Sequence, residues 1–287
     1  MGTDPATSPG APLPSTRGLS RELGLRFLSS LVMAAVVGGL LYAGSLPFAI
    51  LVGAVTLLTA FEWSRIVRGE GFDGALAIHA VTVVLACVLT SSGFAALGIA
   101  AIAAGAILTG LMAFQRHPLL SAEGVLYAGL PGVALIWLRD DQPLGLFAVL
   151  FILLAVVTTD VAAYVAGRLI GGPKLAPAIS PNKTWSGFLG GIAMAGSASA
   201  AFGYAIGADP VKLGLAGLVL GVLAQLGDLT ESALKRSFGV KDSGALIPGH
   251  GGIMDRVDGL VFAAAAAGFV AFAIDPQAPA RALLFGG

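Results

Sequence analysis

Apolar residues run through this chain in long stretches separated by short polar breaks, and the stretches are apolar on every side. A helix that is hydrophobic all round does not belong at a water-facing surface. Stretches close to the ~20 residues needed to cross a bilayer select the membrane. The pattern predicts nine helices, over roughly 25–43, 46–62, 75–91, 93–113, 124–138, 144–167, 187–207, 211–227 and 257–274. The fifth is short and holds Pro131. Small residues crowd the seventh, in "GGIAMAGSASAAFG" (190–203), which predicts close helix–helix packing in lipid. No repeat and no inserted soluble domain is visible. The expected fold is therefore all-α, a polytopic integral membrane helical bundle of about nine transmembrane helices.

Composition agrees. Of the 287 residues, 56% are hydrophobic and 11% charged, against about 25% charged in a soluble domain. A water-facing globule is excluded. Net charge is zero, so the overall balance names no partner. Cys87 is the only cysteine, so no internal disulfide can form. The first apolar run lacks an A-x-A cleavage pattern and is followed at once by a second, which reads as a retained span. Residues 1–20, rich in Pro, Ser, Gly and Thr, read as a disordered tail. Residues 21–275 form the transmembrane domain, and 276–287 a short tail on the far side.

Basic residues set the orientation. With the amino terminus in the cytosol, 13 lysines and arginines fall on that side, and only Arg139, Lys212 and Arg281 on the other. This bias supports both the orientation and an odd number of spans. It also places "NKT" (182–184) in the cytosol, so its match to a glycosylation sequon carries no weight.

Charge is concentrated in one stretch. Nine of the 32 charged residues lie between Asp228 and Asp258, in a segment that includes "SALKRSFGVKDSGALIPGHGGIMDRVDGL". Asp228 ends one span, and Asp255 and Asp258 open the next, where lipid makes uncompensated charge expensive. The glycines of "PGHGG" (248–252) permit close backbone approach to a ligand. In the preceding cytosolic loop, Ser180 of "SPNKT" is a natural N-cap and Pro181 a natural first helical residue. A helix started there would aim free N–H groups, together with Lys183, at an anion. Asp160 lies ~24 Å along the sixth span at 1.5 Å per residue, which brings it to the membrane level of Asp228 and Asp255. Three carboxylates at one depth beside several basic groups read as a site for phosphate and a divalent cation.

These residues resemble the phosphatidate cytidylyltransferases, or CDP-diacylglycerol synthases. The resemblance rests on S-x-L-K-R, four residues, K-D-x-G and I-P-G-H-G-G-I-M-D-R-V-D, with "GDLTES" (227–232), "DVAAYVAGRLIG" (160–171) and "SPNKTWSGFLGG" (180–191). It is strong over 160–260. Ser186 departs from the family, standing where a Glu is frequent. The resemblance implies an integral membrane enzyme with its core motifs in 160–260, and the basic-residue bias puts its site on the cytosolic side of the cytoplasmic membrane. That enzyme transfers CMP from CTP to phosphatidic acid and releases pyrophosphate. It implies magnesium or a similar divalent cation, with the number of cations open. The implied partners are CTP, phosphatidic acid, membrane lipid and a second copy of the chain in a homodimer, with no nucleic acid. Carried over, the metal-binding acids fall on Asp228 and Asp255, and the catalytic set adds Lys235 and Arg236. Substrate-binding positions fall on Ser180, Lys183, Thr184, Lys241, His250 and Arg256, with Asp160 and Asp258 beside them. His250 reads as a hydrogen-bonding partner for phosphate, and Asp258 as either a metal ligand or the ion-pair partner of Arg256.

Three alternatives fit less well. "DRVDGLVFA" (255–263) begins like a CDP-alcohol phosphotransferase motif, but Phe262 and Ala263 stand where Ala and Arg are required. A CTP-dependent lipid-alcohol kinase would give a phospho-lipid instead of a CDP-lipid, and the signature favours the latter. A transporter would want charge near the midplane and interrupted helices, whereas here charge gathers at one interface.

Overall fold

The computed structural model describes residues 16–69, 71–244 and 251–286, with side chains from residue 29 onward. In chain order the helices are α1 (Thr16–Ala43), α2 (Ser45–Arg68), α3 (Gly74–Ser91), α4 (Ala95–Met112), α5 (Pro118–Asp140) and α6 (Gly145–Leu169). Two short strands follow, β1 (Lys174–Ala176) and β2 (Ser180–Thr184), then α7 (Trp185–Ile206), α8 (Pro210–Ser237), α9 (Met254–Ile274) and α10 (Pro279–Phe285). Helices α2 to α9 are each long and apolar enough to cross a membrane, and the described apolar part of α1 is Ser29–Ala43. The chain is an integral membrane protein, an all-α bundle close to the nine spans expected.

Helices α2 to α5 pack on one another around Ala60, Val83, Ile102 and Val125. Helices α6, α7 and α8 form a second group, and α9 joins the two by contacting both α5 and α8. The small residues of α7 do what their pattern suggested. A side chain at Gly187 would meet the Ala163 carbonyl at 2.7 Å, and one at Gly191 the Thr159 carbonyl at 2.8 Å. Bare glycines let α6 and α7 touch backbone to backbone, the packing that dispersion forces reward in lipid.

Four expectations change. Helix α1 begins at Thr16, inside the stretch read as a tail, while residues 1–15 lie outside the described residues. Helix α5 is 23 residues long, not short, and continues through Pro131, as membrane helices tolerate. Helix α8 continues ten residues past the expected end at 227. Asp228, Glu231 and Lys235 are therefore one helical face and not a loop, since residues three and four apart stack along a helix.

The fourth change is at "SPNKT". No helix starts at Ser180. Instead β2 pairs antiparallel with β1, Lys174 opposite Thr184 and Ala176 opposite Ser180. Pro181 disfavours helical geometry at the residue before it, which admits the extended strand. The N-cap is Thr184, at φ −122° and ψ 156°, whose Oγ1 accepts the Gly187 N–H at 3.1 Å.

Candidate active site

Helix α6 presents Asp160, Tyr164 and Arg168 one turn apart on one face. Across from them, β2 supplies Asn182 and Lys183, and α8 supplies Asp228. Together they line a cleft of about 610 Å³ at one end of the bundle. The Lys183 ammonium lies 2.6 Å from Asp228 Oδ2, and the Ser232 hydroxyl donates to Asp228 Oδ1 at 3.3 Å. Thr184, in the wall of the cleft, fixes the start of α7. Ser186, the departure from the family pattern, donates to the Gly171 carbonyl and so ties this wall back to the end of α6.

Helix α9 crosses α8 next to this cleft. Gly227 is bare where α9 crosses α8, and any Cβ there would collide with the Asp258 carbonyl. The close crossing puts Asp258 within electrostatic reach of Asp228 and Asp160. Asp258 Oδ1 accepts the Gly259 N–H at 2.7 Å. Among the described residues it forms no ion pair with Arg256, whose exposed guanidinium instead acts electrostatically on Asp160.

Beside this cleft lies a buried charge cluster. Lys235, 9% exposed, sits 2.5 Å from Glu231 Oε2 and 2.6 Å from Asp255 Oδ1. Asp255 Oδ2 also accepts the Gly252 N–H at 2.8 Å and the Ser243 N–H at 3.1 Å. The buried Tyr127 ring packs on Trp63 with centroids 4.8 Å apart, and its hydroxyl stands in the field of Asp258, Glu231, Asp228 and Asp255.

The sequence-derived candidates thus divide. Asp160, Lys183, Thr184 and Asp228 share the cleft, with Asp258 adjoining it. Lys235 and Asp255 form the neighbouring cluster. Ser180 serves the hairpin, opposite Ala176. The exposed Arg236 donates to the Ile179 carbonyl at 3.4 Å and the Val240 carbonyl at 3.2 Å, bracing the hairpin against the end of α8. Lys241 is exposed. His250 lies outside the described residues.

Sequence reasoning missed Arg168 and Asn182 in the cleft, Glu231 in the cluster, and Glu62. The Glu62 carboxylate, 4% exposed, reaches from α2 to the start of α9. A signal existed for Glu62: an acid inside the apolar run "TAFEW" is a functional candidate by position alone.

As for a divalent cation, the donors are carboxylate oxygens, the type magnesium prefers. Among the described residues no three acids or histidines form a ready metal cage. Magnesium needs none, since it takes one or two carboxylates and completes its shell with phosphate and water. The carboxylate donor type fits the ion, and in this structure an ammonium group engages each of Asp228 and Asp255 at 2.6 Å.

The chain matches the model of the cytidylyltransferase family over residues 24–274. It is 38% identical over 248 residues to the phosphatidate cytidylyltransferase of Brucella suis biovar 1 (strain 1330), which covers 85% of this chain and 91% of that protein. The same figures hold for the phosphatidate cytidylyltransferase of Brucella melitensis biotype 1. The phosphatidate cytidylyltransferase of Staphylococcus aureus (strain COL) is 42% identical over 134 residues, covering 46% of this chain and 51% of that one.

Proposed function

The chain belongs to the cytidylyltransferase family and is a nucleotidyltransferase, and we propose that it transfers CMP from CTP to phosphatidic acid, giving CDP-diacylglycerol and pyrophosphate. The observation that carries this reading is the clustering of acids and lysines about one cleft at one end of the spans. A lipid headgroup resides at that level, so phosphatidate enters sideways from the leaflet while CTP arrives from water. The excess of basic residues on this side supports a cytosolic site.

The phosphate monoester of phosphatidate has a second pKa near 6 and is largely dianionic at neutral pH. It attacks the α-phosphorus of CTP without a general base. One of its oxygens bonds to that phosphorus, the bond from the α-phosphorus to the bridging oxygen breaks, and pyrophosphate leaves with the electron pair. The obstacle is repulsion between two polyanions, so catalysis is positioning and charge stabilisation. Lys183 and Arg168 face the cleft and neutralise phosphate there; Lys235, on the adjoining face of α8, supports charge on the departing group. Arg256 and Lys241, both exposed, add positive potential for the arriving nucleotide. Asp228 and Asp255 would hold the divalent cation, with Asp258 and Asp160 adding negative potential. Such an ion supplies Lewis-acid stabilisation of phosphate charge.

Pyrophosphate release by the purified protein tests this reading. It should require CTP, phosphatidate and a divalent cation together, and Asp228→Asn and Asp255→Asn should each abolish it while the protein stays folded. Normal turnover by both variants would remove the two acids from the mechanism. No release by the wild type with any divalent ion would remove the reaction.

A further inference from the structure

Helix α9 starts without a cap of its own: Ile253 makes no side-chain bond to the first turn. The first N–H groups of a helix have no partner within it and carry the positive end of its dipole. Here Glu62 takes them. Its Oε1 accepts the Ile253 N–H at 2.9 Å, and its Oε2 accepts the Met254 N–H at 2.8 Å and the Ser243 hydroxyl at 2.8 Å. The donors lie 181 to 192 residues from Glu62 along the chain. Gly252 is bare against this carboxylate, where a Cβ would overlap both of its oxygens, and Gly244 stands at 2.9 Å on the same reckoning. Two of the N–H groups at the start of α9 are therefore taken by a protein carboxylate.

The residues that hold Glu62 also hold Asp255. Ser243 donates its hydroxyl to Glu62 and its N–H to Asp255. Gly252 packs on Glu62 and donates its N–H to Asp255. Met254, bonded to Glu62, is the residue before Asp255. We infer that Glu62 is a positioning residue: a buried carboxylate on α2 that clasps Ser243 and the start of α9, and thereby fixes the direction in which Asp255 meets the reactants. This rests on the cytidylyltransferase reading for what Asp255 does, and on geometry alone for the clasp.

The chemistry of the clasp makes it testable. Three donors converge on two oxygens, so a glutamine at 62 must turn an NH₂ towards at least one donor. Shape is kept and an acceptor is lost. Wild type, Glu62→Gln and, as a control, the exposed Glu123→Gln should be purified and compared in steady-state kinetics and in amide hydrogen exchange. For Glu62→Gln, kcat should fall about 10- to 100-fold, the usual effect of losing a group that orients a site residue, with KM for CTP little changed. Exchange should quicken at residues 252–255 and stay unchanged in α3 and α4. Glu123→Gln should match wild type. Wild-type kcat or wild-type exchange at 252–255 in Glu62→Gln would overturn the proposal. Should that variant not fold, Ser243→Ala removes one link and leaves the N–H on Asp255. It should lower kcat about tenfold, and wild-type kcat there would equally overturn the clasp. A wild-type protein with no turnover would refute the functional reading, and the exchange measurement would still decide the clasp.

Discussion

Lys235 brings its ammonium into a pocket between Glu231, 1% exposed, and Asp255. Two carboxylates share that one cation, so each residue depends on the others for compensation. Breaking a buried ion pair by removing one partner costs about 3–5 kcal/mol, because it leaves a buried charge alone. Lys235→Met should therefore lower the thermal unfolding midpoint in detergent markedly, besides abolishing turnover; an unchanged midpoint would show that the cluster is solvated. In the sequence Lys235 was conspicuous as a cation in an apolar chain. Its partner Glu231 was not assigned, because a turn-by-turn pairing becomes visible only once the helix is known to run past 227. Glu62 stood out as an acid in an apolar run, but its partners were hidden for a different reason. Nothing near residue 62 in the sequence indicates that its carboxylate meets N–H groups at 253 and 254, and only the folded bundle brings them together.

At the level of elements, the close approach of α8 and α9 depends most on the missing side chain at Gly227. In Gly227→Ala the new methyl collides with the Asp258 carbonyl, so the helices must separate or strain. Overpacking of this kind costs about 1–3 kcal/mol, and here it also moves Asp228 relative to Asp258. Turnover should fall well beyond what the stability loss explains, measured as kcat per folded protein at a temperature below unfolding. Wild-type turnover with wild-type stability would contradict the crossing. A milder effect is expected at the other wall: Thr184→Val removes the N-cap of α7 and should cost about 1 kcal/mol, read as a lower unfolding midpoint. The spans were legible because lipid tolerates nothing but long apolar runs. Their ends were less so. Ser180 followed by Pro181 looks like a helix start, yet the same proline favours an extended residue before it, and the partner strand at 174–176 is only three residues long, too short to show an alternating pattern.

For the whole molecule, the apolar exterior and the segregation of basic residues were both readable from the chain, since each answers to the membrane and not to local packing. Orientation can be tested by labelling, because the only native cysteine, Cys87, is buried. Lys174→Cys and Lys212→Cys place exposed thiols at opposite ends of the bundle. In right-side-out vesicles an impermeant maleimide should label the second at once and the first only after permeabilisation; the reverse order would invert the topology. The central claim, that the cluster of charge at one end of this apolar bundle joins a nucleotide's α-phosphorus to a lipid phosphate, is tested most directly by isotope. Purified protein should be given phosphatidate and CTP labelled at either the α- or the γ-phosphorus, and the label followed into lipid and into pyrophosphate. The α-label should appear in the lipid and the γ-label in pyrophosphate, whereas γ-label in the lipid would make the protein a kinase and contradict the account.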